Sequence, residues 1–132
     1  MGAEPYNYVV EYDEDIGRAL KKLRRHVFET GAYYGSARKP STPEDALATA
    51  TEEGTRSILD IAEVSDEPQL CCAAPFTTEE LVNYFETERP SLKDVEDNDV
   101  FWDDIERGTA RYIILYEGDS PKQIYFAGYS FD

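Results

Sequence analysis

The residue pattern predicts an α+β fold. The expectation is a single acidic domain, residues 1–132, with a mostly antiparallel sheet, a C-terminal β-hairpin and two to four helices packed on one face. Three observations carry it. Two β-rich runs, RYIILYE and QIYFAGYSF, flank the turn Gly118-Asp119-Ser120-Pro121. Ile16, Ala19, Leu20, Leu23 and Val27 recur at helical spacing. The 132 residues are 41% hydrophobic, with ten Tyr, six Phe and one Trp, enough apolar bulk for one core.

Taken in chain order, Tyr6, Tyr8, Val10 and Tyr12 alternate along one face of a strand. Asp13 is placed to cap a helix over residues 14–29 that ends near Gly31. GAYYGSARKPSTP, broken by Gly31, Gly35, Pro40 and Pro43, reads as a loop. Thr42 then caps a helix with Pro43 at its first position, ending at Gly54. RSILDIAEV, residues 56–64, reads as a strand, with a helical continuation as the alternative. LCCAA is a short strand. Thr77 and Glu80 have capping-box spacing for the helix TTEELVNYF, whose apolar side is Leu81, Val82, Tyr84 and Phe85. Helical turns follow at 91–97 and 101–107. In the final hairpin Ile113 and Leu115 alternate with Tyr112, Ile114 and Tyr116, so both faces are apolar and the strand is expected to be central.

Charge narrows the function. With 28 Asp plus Glu against 13 Lys plus Arg, the net charge is −15. Such a surface repels phosphates and anionic lipids over a Debye length of about 8 Å, which argues against a nucleic-acid or membrane partner. It attracts basic proteins. The apolar runs are too short for a membrane-spanning helix, and the N-terminal residues lack the pattern of a secretion signal. The two cysteines, Cys71 and Cys72, are adjacent. They lack the spacing of a redox or zinc site and read as small apolar residues of a buried strand, which points to a reducing, cytoplasmic location.

Most of the acidity lies in the middle of the chain. Residues 60–106 hold fifteen acidic residues and two basic ones, Arg89 and Lys93. Within residues 94–106, seven of thirteen are acidic, beside the only tryptophan. Carboxylates around an aromatic suit a basic protein surface, since Trp supplies contact area and carboxylates pair with Arg and Lys. The expected partner contacts are Asp97, Asp99, Trp102, Asp103 and Asp104. Asp94, Glu96 and Asn98 match the first spacings of a calcium loop, but Asp99 stands where Gly is needed and Ile105 where Glu is needed. No metal or cofactor is assigned. No catalytic residue is assigned either, because His26 is the only histidine and directly follows the basic run Arg18–Arg25. On that helix Arg18, Lys21, Lys22 and Arg25 share one face, available to the chain's own acidic segment.

The profile, small and acidic with an α+β layout, is similar to bacterial immunity and antitoxin-type inhibitors. That similarity covers no motif. It implies a module that masks a basic partner protein. The alternative is a small ligand-binding or enzymatic domain with a pocket lined by Tyr33, Tyr34 and Tyr129 and with Arg56 or Cys71 as polar group. Oligomeric state is not encoded in any of these patterns.

Overall fold

The structure, a computed structural model, describes residues 5–30 and 57–130. It is an α+β domain built on a five-stranded mixed sheet. The strands are β1 (Pro5–Glu11), β2 (Glu63–Val64), β3 (Cys72–Pro75), β4 (Ala110–Glu117) and β5 (Ser120–Tyr129). The helices are α1 (Ile16–Thr30), α2 (Thr78–Phe85) and α3 (Leu92–Glu96), with 3-10 turns at Ile58–Asp60 and Val100–Asp104. The strand order is β1-β5-β4-β3-β2. The two long ladders, β1–β5 and β5–β4, are antiparallel, while β4–β3 and β3–β2 are short and parallel. Among the described residues no helix is long and apolar enough to cross a membrane.

The hairpin forms where the sequence predicts it. Gly118 supplies the positive φ of its two-residue turn. β4 is central, as its two apolar faces demand. Tyr112 and Ile114 point to one side, with Ile124 and Phe126 of β5 and Tyr6, Tyr8 and Val10 of β1. Ile113 and Leu115 point to the other, with Tyr125 and Ala127.

That two-sidedness corrects one expectation: the helices divide between both faces of the sheet. α1 covers the first face through Ala19, Leu20, Leu23 and Val27. α2, α3 and the second 3-10 turn cover the other through Tyr84, Val95 and Phe101. A strand that is apolar on both sides needs cover on both, because apolar area left in water loses about 25 cal/mol per Å².

Local chemistry sets the element ends. α1 starts at Ile16 rather than residue 14, because the Asp15 carboxylate accepts from the Arg18 amide at 3.1 Å. Asp13, two residues earlier, accepts from the Asp15 amide and pairs with the Arg18 side chain. The predicted box at α2 is present, with Thr77 accepting from the Glu80 amide and Glu80 from that of Thr77. α3 has the same arrangement between Ser91 and Asp94. Val82, placed on the apolar side of α2 by its spacing, is 45% exposed. Of the segment read as a strand over 56–64, the described residues 57–64 are neither a strand nor a helix throughout. Ser57 caps the 3-10 turn Ile58–Asp60, and only Glu63 and Val64 pair in the sheet. Ile58, Leu59, Asp60 and Ile61 are all fully buried, so the alternation read there does not mark two faces. The helix and loop expected within residues 31–56 lie outside the described residues.

Cys72 is a buried strand residue, as expected, but Cys71 is half-buried just before β3 at φ 63°. Burial raises both thiols above their ordinary range, which works against a thiolate nucleophile. Arg111 holds the end of β3 against α2. Its guanidinium donates to the carbonyls of Ala74 and Pro75 and to Glu80, and lies over the Phe76 ring at 4.1 Å. Buried to this degree, a cation requires such partners.

Candidate functional site

The acidic segment is a string of short pieces pinned onto aromatic rings. α3 has five residues and the turn Val100–Asp104 another five, too short to persist alone. Phe101 anchors them. It is 1% exposed and its ring meets those of Phe76, Tyr84, Phe85, Trp102 and Tyr125. Asn98 ties the link between the two pieces: its side-chain amide donates to the Tyr84 carbonyl, and its side-chain oxygen accepts from the Val100 amide.

Trp102 is half-buried. Its indole stacks on Phe101 with centroids 5.4 Å apart and meets the edge of Tyr129 at 5.5 Å. This leaves one side of the ring in an open depression of about 450 Å³. Asp99 and Asp103 flank it, Val100 and Tyr129 line it, and Pro5 and Asn7 of β1 form the far wall. The depression lies between the second 3-10 turn and the outer strand β1.

The structure therefore brings together three of the five expected contact residues: Asp99, Trp102 and Asp103. Asp97 caps the C-terminal end of α3 and is exposed, but it does not line the depression. Asp104 is exposed and accepts a short hydrogen bond from the Tyr84 hydroxyl. Burial first, and then that bond to a carboxylate, raise the Tyr84 hydroxyl well above its ordinary range. Among the described residues no salt bridge reaches Asp97, Asp99 or Asp103. Val100 is 54% exposed beside them. The site is thus an aromatic and an aliphatic contact framed by solvated carboxylates.

Sequence reasoning missed Pro5 and Asn7. Nothing local signals them, since their place at the site depends on β1 pairing with β5, more than a hundred residues away. The pairing Pro5↔Tyr129 places them beside Tyr129.

The basic face of α1 forms as expected, with Arg18, Lys21, Lys22 and Arg25 all exposed. It does not meet the acidic segment, because the sheet separates them. Arg18 pairs with Asp13 and Arg25 with Glu29, both locally. A second depression, about 270 Å³, lies between that helix and the end of β1, walled by Val10, Tyr12, Leu23, Lys22 and His26. Of the residues named for a tyrosine-lined pocket, Tyr33, Tyr34 and Arg56 lie outside the described residues, and Tyr129 faces the Trp102 depression. Among the described residues no group of three or more His, Cys, Asp or Glu is arranged to hold a metal ion.

No family model, curated protein or solved structure matches this chain.

Proposed function

We propose that this domain is a protein-binding module that docks the acidic face around Trp102 onto a basic partner protein, in the manner of an inhibitor that masks its target. The supporting observation is the joint placement of Trp102, Asp99 and Asp103 at one open depression. Trp at the centre with carboxylates at the rim matches the anatomy of binding hot spots, where a desolvated aromatic gives affinity and charges give steering. The depression is open and shallow, so it fits a protruding side chain better than an enclosed small molecule.

The test is affinity capture from lysate of the native host at about 50 mM and about 300 mM salt, which differ in screening length. Wild type is compared with Asp99→Lys/Asp103→Lys, and retained proteins are identified by mass. The expected result is a stoichiometric basic protein held by wild type, weakened by salt and lost with the variant. Equal retention by both proteins removes this site, and retention of nothing removes the binding-module reading.

A further inference from the structure

We infer that the basic partner inserts an extended segment as a further strand on the outer edge of β1, with its cationic side chains in the Trp102 depression. This rests on the acidic face being a binding face. It adds which chain geometry the partner must offer.

β1 is an edge strand whose ladder partner is β5. Among the described residues its outer side is unpaired. The register fixes which backbone groups face outward. The Tyr12 amide donates to the Lys122 carbonyl, directly across the ladder beyond Glu11↔Gln123. In an antiparallel pair such bonds recur at every second residue. Tyr6, Tyr8 and Val10 therefore bond to β5, and Asn7, Val9 and Glu11 turn their N–H and C=O groups outward. Pro5 has no N–H, so the row of donors starts at Asn7.

The side chains of Asn7 and Val9 lie on the face away from α1, the face of the Trp102 depression, where Asn7 forms its wall. A strand laid on β1 places alternate side chains over that depression. A Lys or Arg there meets Asp99 and Asp103 and the open side of the indole, combining ion pairing with cation–π attraction. Its intervening side chains fall on the other face, beside the depression walled by Val10, Tyr12 and Leu23. The segment that fits alternates cationic with apolar residues. Val9, 38% exposed on the edge, is then covered.

Charge also decides against a second copy of this chain. β1 itself, PYNYVVE, carries Glu11 and no cation, and edge-to-edge pairing joins two chains of net charge −15.

The test uses an acetylated, amidated (Lys-Val)₄ peptide and the same peptide N-methylated along its backbone, which keeps the charge and loses the donors. The expected result is binding weaker by about tenfold or more on methylation, as loss of a few strand hydrogen bonds gives. Hydrogen exchange of the Asn7, Val9 and Glu11 amides slows in the complex with the unmethylated peptide, while that of Tyr8 and Val10 changes less. This readout needs no variant. Equal affinities with no added protection at those amides overturn the further strand and leave the acidic face as a binding face, confirmed by loss of both peptides in Asp99→Lys/Asp103→Lys. Failure of both peptides to bind overturns both readings.

Discussion

The two faces of the sheet solve the same covering problem differently. On one, among the described residues, the 15-residue helix α1 lays Leu20, Leu23 and Val27 over Tyr6, Tyr8, Ile124 and Phe126, beside Ile58, Leu59 and Ile61 at the first 3-10 turn. Its stability comes from one continuous apolar stripe. On the other, α2, α3 and a 3-10 turn are joined end to end, and each is held by capping boxes or by rings set edge to face. The helix-covered face keeps a depression of about 270 Å³ at the end of β1. Short pieces leave seams, and the Trp102 depression is the seam beside β1. The face held by discrete pins thus carries the larger of the two described depressions, with Trp102 in its wall.

Breaking the central pin tests this directly. Phe101→Ala removes the ring that five others contact and is expected to cost about 3–5 kcal/mol. It also frees Trp102, so indole fluorescence shifts to the red in the folded variant, measured below the urea midpoint. Leu20→Ala on the α1 face is expected to cost about 3 kcal/mol and leave Trp102 emission unchanged. If both variants shift the emission equally, the faces are not independent.

A smaller effect is expected where the faces share backbone. Gly128 stands opposite Tyr6 on β1 and Ala110 on β4. A Cβ there would sit 2.5 Å from the Tyr6 hydroxyl oxygen and 2.8 Å from the Thr109 carbonyl oxygen. The glycine lets the buried Tyr6 ring lie across the strand. Gly128→Ala is expected to cost about 1–3 kcal/mol by overpacking, read by urea unfolding. An unchanged midpoint would show that β1 and Tyr6 shift without penalty, and would weaken the case for β1 as a rigid edge.

These contrasts also explain what the sequence could and could not reveal. The hairpin, the Thr77–Glu80 box and the basic face of α1 rest on contacts within a few residues, so local spacing finds them. The face on which α2 and α3 pack is not local. It follows from both sides of β4 being apolar, a signal carried by Tyr112–Tyr116 that demands cover on both faces. In residues 57–64 the buried Asp60 imitates the polar phase of a strand, so alternation there does not mark two faces. Asp104 looked equivalent to Asp103 by composition, and only the fold turns it toward Tyr84. Asn7 joined the site through strand pairing alone.

Tyr84→Phe sharpens the pinned face further. It deletes the hydroxyl that donates to Asp104, at an expected cost of about 1 kcal/mol at pH 7. The sign with pH follows from the raised hydroxyl. The folded state favours the neutral phenol, so its contribution is complete below the unfolded value of about 10 and is lost as pH rises beyond it. The gap between wild type and variant should narrow above about pH 10. A gap constant to high pH would mean that the hydroxyl acts by shape rather than by its proton.

The smallest effect belongs to the start of α1, where charge replaces a capping box. Arg18 donates twice to Asp13 at 2.7 Å, and this holds the Asp13 carboxyl down at about 2. A depressed carboxyl favours the folded state above its unfolded value of about 3.9, and that contribution disappears as pH falls from there toward about 2. Asp13→Asn should therefore lower the urea midpoint slightly at neutral pH and converge with wild type by about pH 2. The Arg18 side chain is solvent-exposed, so about 0.5 M added salt should shrink the difference. At α2 the corresponding bonds, Thr77 with the Glu80 amide and Glu80 with the Thr77 amide, involve a hydroxyl as well as a carboxylate. Thr77→Ala should accordingly persist in its effect through acid and salt. If both variants respond alike, the two helix starts are held by the same forces, and the contrast between a charge-started face and a pinned face fails at its weakest point.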